Sequence, residues 1–251
     1  MTTRSADEWA HMAAAFGVDI EQVRRDHLIS HVLAAIADGV STDEIVFFGG
    51  TALSRTFLTD VRLSEDIDLI ALAPRGQVAD QIEAIVRRGL ARTHGRPTWR
   101  PALTSTVGSQ PAVLSVPDGT SIQVQLLSGD GYSWPTAVTA IDQRYGDAPP
   151  ARLRTLTAPA FAAAKLNAWI DRSAPRDLYD LWALAERGLI DAEAAHVFVS
   201  HGPFAKQPPA WVFDRELDEA VWRRSLSHQT RLSVTAVNAL HRVRDAWAQV
   251  S

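Results

Sequence analysis

The sequence contains no cysteine and no long apolar run. The absence of cysteine excludes disulfide bonds, thiolate metal ligands and cysteine nucleophiles together. The longest apolar stretches, such as Ile70–Ala73, fall far short of the ~18 to 20 residues that a bilayer crossing requires. Met1–Ala10 carries charged residues with no apolar core behind them, unlike a secretory signal. We therefore expect a cytoplasmic protein with no membrane partner.

Lysine is also scarce, because Lys165 and Lys206 are the only lysines among the 25 basic residues. Such a preference for arginine, together with abundant alanine, suggests a GC-rich genome, and a lysine that occurs within this bias is a candidate functional residue. Lys206 lies in a loop with proline and glycine and is expected at the surface. The net charge of −4 does not by itself indicate a polyanionic partner.

The pattern of apolar residues divides the chain into a mixed part and a helical part, which predicts a domain over 1–155 and a second over 156–251. Spacings of three to four residues indicate helices, and short apolar or alternating runs indicate strands. Helices are predicted over 20–37, 51–58, 77–92, 158–172, 176–187, 191–200, 213–227 and 231–249. Strands are predicted over 45–48, 66–72, 112–116 and 121–127.

Two aspartates stand two residues apart in the apolar strand predicted over 66–72. Side chains alternate along a strand, so Asp66 and Asp68 point to one face and Ile67 to the other. Two carboxylates in an apolar strand are costly to bury unpaired, and a cation between them removes that cost. Hard oxygen ligands select Mg²⁺ or Mn²⁺. Asp66 and Asp68 are therefore the candidate metal ligands and catalytic carboxylates.

A glycine turn precedes this strand. Gly49 and Gly50 lie between the end of a predicted strand and the start of a predicted helix. Free backbone N–H groups and the positive end of a helix suit a phosphate at such a place. The turn is therefore a candidate nucleotide-binding element, although most Gly-Gly turns serve the fold alone.

Gly-Gly-Thr-x-Leu at 49–53, followed by Arg-x-Ser-x-Asp-Ile-Asp-Leu at 62–69, resembles the first motif of DNA polymerase β-like nucleotidyltransferases. More narrowly, it resembles the AbiEii/MenT family of nucleotidyltransferase toxins. Two later segments, 163–168 around a lysine and the Arg-Asp-Leu-x-Asp-Leu run at 176–181, resemble later motifs of that family in the same order. The resemblance implies an α+β fold, with a polymerase-β-like core of mixed sheet flanked by helices and an all-helical C-terminal domain.

The resemblance also implies roles for individual residues. Beside the two glycines, Thr51, Arg62 and Ser64 would bind the nucleotide, with Arg62 helping to neutralise the triphosphate. Ser64 has the alternative of capping the turn before the strand. Both roles of Ser64 are compatible with its position two residues before Asp66.

Lys165 and Asp177 are the catalytic residues that the resemblance implies in the helical domain. Lys165 lies at the edge of an apolar stripe, with Arg172 on the same side, which suits a cation that reaches a triphosphate. An ordinary surface lysine is the alternative. Asp177, with Asp180 three residues on, would support the metals or position Lys165. Alternatively, Asp177 only complements the helix dipole.

A third acidic metal ligand is missing from its usual place. Polymerase-β-like sites often take it from a neighbouring strand, and the strand expected here offers Gln123 and Gln125 instead. The site therefore uses two carboxylates, or takes a third from elsewhere, for which Asp177 is the candidate. Another possible metal pair, His27 and His31, is spaced i, i+4, but with no third ligand nearby we expect the two histidines to be solvated or packed.

The resemblance implies a metal-dependent enzyme that transfers NMP from an NTP, with Mg²⁺ or Mn²⁺ as cofactor. It further implies the 3′ end of tRNA as acceptor, inhibition of translation and a cognate antitoxin as partner. Two alternatives remain open from the residues. One is transfer to a small molecule, such as an aminoglycoside, or to a protein hydroxyl. The other is an inactive nucleotide-binding or antitoxin-type module.

Overall fold

The computed structural model describes residues 3–215 and 217–250. The chain divides into two compact units, residues 1–155 and residues 156–251. Among the described residues, no helix combines the length and the apolar character that a membrane crossing requires.

Four helices belong to the first unit: α1 (Thr3–Phe16), α2 (Ile20–Gly39), α3 (Gly49–Ser54) and α4 (Arg75–Leu90). The long helix α2 packs against both α1 and α4. Because it is covered on two sides, its buried residues extend around the helix rather than along one stripe. Helix α2 is thus the central helix of this unit.

One mixed sheet of seven strands completes the first unit. The strands are β1 (Ile45–Phe48), β2 (Asp66–Ala71), β3 (Thr98–Trp99), β4 (Ala112–Ser115), β5 (Ser121–Ser128), β6 (Thr136–Ile141) and β7 (Ala151–Leu156). Their order is β3-β4-β5-β2-β1-β7-β6. Strand β2 pairs antiparallel with β1 and parallel with β5. The candidate carboxylates on β2 therefore lie near the middle of the sheet.

The second unit is built from helices: α5 (Ala158–Arg172), α6 (Pro175–Glu186), α7 (Ala192–His201), α8 (Glu219–Leu226) and α9 (Ala236–Val250). Three of them begin at a side-chain cap, where Thr157, Asp191 or Asp218 accepts a backbone N–H of the first turn. Helix α5 packs on α6 and α7, and α6 packs on α8 and α9. Trp169 and Trp222 are fully buried in this unit.

The predicted α+β architecture is confirmed. The predicted boundaries of β1 and α5 are the observed ones. The helix predicted over 213–227 is observed as α8, but its predicted start is wrong, because the cap at Asp218 starts α8 only at Glu219. Strand β6 was not predicted, since only one of its six residues is buried and it lacks the alternation of a half-buried strand.

Candidate active site

Asp66 and Asp68 lie on one face of β2, as the sequence predicts. Both aspartates are half-buried. Ile67, which lies between them, and Leu69, which follows Asp68, are fully buried. The alternation follows from the pleat of the strand, which points successive side chains to opposite faces. The sheet therefore presents two carboxylates side by side at the start of a central strand.

Gly49 brings the chain backbone against one of these carboxylates. Phe48 pairs with Asp68 across β1 and β2, so the chain leaves β1 beside that residue. Gly49 has a φ of +78°, and a Cβ atom built on it would overlap Oδ2 of Asp68. Glycine is required here both for the left-handed backbone and for the close approach. The predicted glycine turn and the carboxylate pair thus form one site.

Arg62 and Ser64 lie on the second glycine of the turn. A Cβ atom built on Gly50 would be 2.7 Å from Nη2 of Arg62 and 3.3 Å from Oγ of Ser64. Both side chains are buried, and Nη1 of Arg62 donates to the carbonyl oxygen of Leu63 at 3.3 Å. The structure therefore brings a guanidinium and a hydroxyl together at the start of α3, where helix N–H groups also favour an anion.

Thr51 connects α3 to the carboxylate strand. Its hydroxyl donates a hydrogen bond to the backbone carbonyl of Asp66, and its side chain is buried. This bond fixes the first turn of α3 relative to the start of β2. The hydroxyl of Thr51 thus holds the two parts of the site together.

A buried charge network supports α3 from the other side, and sequence reasoning did not find it. Asp26 of α2 accepts from Arg55 at 2.8 Å and from Arg144 at 2.9 Å. Arg144 also donates to the carbonyl oxygens of Ser54 and Thr59, at 2.6 Å and 3.0 Å. These bonds fix the end of α3 and the loop after it. No sequence motif joins residues that stand 29 and 118 positions apart.

The burial of this network affects the pKa of its members. Burial, opposed by the charge of Asp26 and aided by that of Arg144, lowers the pKa of Arg55 to about 10. Arg55 nevertheless remains charged at neutral pH. The network is therefore an ionic one, in which Asp26 contacts both guanidinium groups and Asp142 lies 3.6 Å from that of Arg144.

The predicted neighbour of the carboxylate strand is confirmed as β5. Asp66 is paired with Gln123 and Asp68 with Gln125 in parallel register. The glutamines therefore occupy the positions at which a third acidic metal ligand is often found. Nε2 of Gln125 donates to the carbonyl oxygen of Ser109. The site in the first unit therefore has two carboxylates and two neighbouring amides.

Lys165 and Asp177 lie together in the second unit. Nζ of Lys165 is 3.1 Å from Oδ1 of Asp177 and 2.7 Å from Oδ2 of Asp180. Arg172 donates to both oxygens of Asp177, with Nε to Oδ2 at 2.7 Å and Nη2 to Oδ1 at 2.9 Å. Lys165 is buried, which does not fit a surface lysine that reaches into solvent. Asp180 is also a direct partner of this lysine.

The charges around Asp177 keep it ionised. Burial by itself would raise the pKa of Asp177, but the charge of Lys165 and the hydrogen bonds and charge of Arg172 outweigh it. The pKa therefore lies below its ordinary value. Because both carboxylate oxygens accept from these cations, the arrangement favours a role of Asp177 in positioning Lys165.

His27 and His31 are packed in the core, which is one of the two expected outcomes, but the premise that no third ligand lies nearby was wrong. His94, which follows α4, places Nε2 3.1 Å from Nδ1 of His27. The sequence spacing could not reveal this contact, because the two residues stand 67 positions apart.

A protein-family model and a solved structure both match this chain over most of its length. A family model described as the nucleotidyl transferase AbiEii toxin of type IV toxin–antitoxin systems matches residues 31–249. The structure resembles that of MenT4, a nucleotidyltransferase toxin from Mycobacterium tuberculosis H37Rv. The TM-score is 0.73 at 22% identity, over 100% of this chain and 90% of that chain, which shows a shared fold.

A second solved structure is less similar to this chain. An antigenic nucleotidyltransferase-like protein from Paracoccidioides brasiliensis gives a TM-score of 0.40 at 13% identity, over 76% of this chain and 98% of that chain. This likeness is too low to support an argument. Comparison with curated protein sequences gives no match.

Proposed function

This chain belongs to the AbiEii family of nucleotidyltransferase toxins of type IV toxin–antitoxin systems, and we propose that it transfers NMP from an NTP to the 3′ end of tRNA in a metal-dependent reaction. Family membership shows that the chain is a nucleotidyltransferase, and it implies an NTP substrate and an antitoxin partner. The tRNA acceptor, the metal and the roles of single residues are parts of the proposal.

The contact between Gly49 and Asp68 is the observation that carries the proposal. It puts the backbone at the start of α3 against a carboxylate, with Arg62 and Ser64 at the next glycine. Groups that bind anions and groups that bind cations are thereby adjacent. A nucleoside triphosphate with its metal needs both kinds of group at one place.

The donor set supports a divalent metal at Asp66 and Asp68. The two carboxylates are half-exposed on one face of β2, and the paired positions on β5 hold the amides of Gln123 and Gln125. Oxygen donors of this kind fit Mg²⁺ or Mn²⁺. When bound, such an ion neutralises phosphate charge and acidifies the attacking hydroxyl. Two carboxylates suffice in this proposal, with no acid at the paired positions on β5.

The residues of the chain bind and orient the nucleotide. The N–H groups of Gly49 and Gly50, the guanidinium of Arg62 and the hydroxyl of Ser64 bind phosphate oxygens, which holds the α-phosphorus in place. An acceptor hydroxyl then forms a bond to that phosphorus, the bond to the bridging oxygen breaks, and pyrophosphate leaves. The hydroxyl proton passes to solvent.

Lys165 is proposed as a further cation for the triphosphate. A buried ammonium held by two carboxylates is fixed in place, and fixed charges stabilise charge that develops in a transition state better than mobile ones. Asp177 is proposed to position Lys165, since its oxygens also accept from Arg172.

The acceptor is tested by incubating the purified protein with total tRNA, Mg²⁺ and each α-labelled NTP in turn. The control is tRNA whose 3′-terminal ribose has been oxidised with periodate and has therefore lost its hydroxyl groups. We expect label on intact tRNA with at least one NTP and none on oxidised tRNA. Equal labelling of both, or no labelled tRNA with a folded protein, would contradict the 3′ end as acceptor. Loss of protein synthesis in a cell-free translation system would accompany the labelling.

A further inference from the structure

Three histidines and an aspartate converge in the first unit, away from the carboxylates of β2 in sequence. His27 and His31 come from α2, His94 follows α4, and Asp147 precedes β7. One nitrogen atom of each histidine lies within 4.8 Å of the nitrogens of the other two. His27 and His31 are buried, at 7% and 5% exposure. The cluster is therefore held by the fold rather than assembled on a mobile surface.

The rings of His27 and His94 face each other through one nitrogen each, and the second nitrogen of each ring, here called the outer nitrogen, has an oxygen partner. Nδ1 of His27 lies 3.1 Å from Nε2 of His94. The other nitrogen of His27 lies 3.1 Å from both oxygens of Asp147, and the other nitrogen of His94 lies 2.9 Å from Oγ1 of Thr93. When those outer nitrogens donate to Asp147 and Thr93, the facing nitrogens both present lone pairs. Histidine ligands of metals are held in this way, with the remaining N–H on a carboxylate or another oxygen.

His31 provides a third donor. Its Nε2 is buried and faces the carboxylate of Asp147. It lies 3.5 Å from Oδ2 of Asp147. Asp147 lies closer to His27, at 3.1 Å, than to His31, and the ring of His31 completes the set of three clustered histidines.

Burial shifts the pKa of two of the three rings towards the neutral form. Burial lowers the pKa of His94 to about 4, and the charges of His27 and His31 act in the same direction. Burial, followed by the charge of His27, also lowers the pKa of His31. Both are neutral at pH 7, and neutral imidazole is the form that binds metal ions.

We infer that His27, His31 and His94 bind one transition-metal ion of the Zn²⁺ class, with Asp147 orienting the ring of His27. Imidazole nitrogens favour Zn²⁺, Co²⁺, Ni²⁺ or Cu²⁺, whereas carboxylates favour Mg²⁺. Two nitrogens of a tetrahedral zinc site are about 3.3 Å apart, given Zn–N bonds of ~2.0 to 2.1 Å. The spacing of 3.1 Å between the facing nitrogens of His27 and His94 is close to this value. The site is thus chemically distinct from Asp66 and Asp68.

A cavity beside the cluster gives the ion a place for a further ligand. It has a volume of about 360 Å³, and His27, His94 and Asp147 are among its lining residues. A zinc ion with three protein ligands takes water or another small ligand in the fourth position. The bound ion would join α2, the segment after α4 and the segment before β7, and so stabilise the first unit.

The test uses the full chain without a histidine tag, stripped with a chelator and kept in excess Mg²⁺. Zn²⁺ binding is measured by equilibrium dialysis, and Co²⁺ is added separately because tetrahedral Co²⁺ has characteristic visible absorption. We expect one equivalent of either ion in the wild type and a rise in Tm with Zn²⁺. An absence of stoichiometric binding to the folded wild type would overturn the inference.

Variants identify the ligands. Asp147→Asn should weaken Zn²⁺ binding by about 10- to 100-fold, and His94→Gln by at least as much. His241→Gln, which changes an exposed histidine of α9, is the matched control and should bind like the wild type. The double variant Asp66→Asn/Asp68→Asn should also keep full Zn²⁺ affinity. Wild-type affinity in both His94→Gln and Asp147→Asn, or loss of binding in the Asp66/Asp68 double variant, would overturn the assignment.

Discussion

The backbone of Gly49 lies directly against the carboxylate of Asp68, so that a methyl group on Gly49 would overlap Oδ2 of Asp68. The two residues belong to different motifs of the sequence, one a glycine turn and the other a pair of aspartates. Their contact converts two separate patterns into one place where an anion and a cation can bind together. The proposed chemistry depends on this contact, which substitution can test.

Gly49→Ala should displace the carboxylate of Asp68 and lower nucleotide transfer by at least about 100-fold, because catalytic groups must be held closely to their positions. It should also cost about 1 to 2 kcal/mol of stability for the left-handed backbone. Steady-state transfer and denaturant unfolding measure the two effects.

The matched control is Gly131→Ala. Gly131 has a similar φ of +73°, but a Cβ atom there would meet no other atom within 4 Å. It should therefore lose similar stability and retain transfer activity. Equal loss of activity in both variants would mean that contact with Asp68 is not what Gly49 provides.

Lys165→Met should abolish most transfer and lower the free energy of unfolding by about 3 to 5 kcal/mol, because the ammonium that contacts the buried Asp177 and Asp180 is lost. Adding Asp180→Asn should restore part of the stability without restoring transfer. Lys206→Met, which changes the other lysine of the chain at an exposed position, is the control for both measurements. Recovery of transfer in the double variant would contradict a catalytic role for Lys165.

The stability that Asp177 contributes should decrease as the pH is lowered into the acidic range. Its folded-state pKa lies below the ordinary value of 3.8, because Lys165 and Arg172 outweigh the effect of burial. The stabilisation is therefore present above that value and is lost as the pH falls through the folded-state pKa. Urea unfolding of the wild type and Asp177→Asn should show a constant difference at neutral pH and a shrinking one below pH 3.8. A difference that grows with acidity would contradict this prediction.

Asp26→Asn should destabilise the first unit by about 3 to 5 kcal/mol, because it removes the buried carboxylate that Arg55 and Arg144 share. Asp38→Asn, which changes an exposed aspartate on the same helix, should be nearly neutral. Denaturant unfolding of the two variants makes the comparison. Equal stability of Asp26→Asn and Asp38→Asn would show that the network does not hold α3.

Sequence alone predicted the parts of this site that are local. The period of two in β2 placed Asp66 and Asp68 on one face, and the order of apolar and glycine residues placed Gly49 at the end of a strand. These features depend on neighbours within a few residues, which fix backbone geometry. The same is true of Lys165, whose helix has the predicted bounds.

Sequence alone could not predict contacts made by the tertiary fold. His94 meets His27 across 67 residues, and Asp26 meets Arg144 across 118. The periodicity of the sequence cannot predict contacts between residues so far apart in the chain, since these contacts depend on how α2 packs in the first unit. For Lys165, the sequence predicted one partner, Asp177, and missed the other, Asp180. The two aspartates lie on the same side of one helix, and only the packing of that helix against the helix of Lys165 shows that both contact the lysine.

The most direct test of the account compares the wild type with Asp68→Asn, using an NTP labelled at the α-phosphate and the same NTP labelled at the γ-phosphate. Asp80→Asn, an exposed change on α4, is the control. The account predicts that the α label moves to tRNA and the γ label leaves as pyrophosphate, in the wild type and the control. It predicts no transfer by Asp68→Asn. Transfer of the γ label to the acceptor, or wild-type labelling by Asp68→Asn, would contradict it.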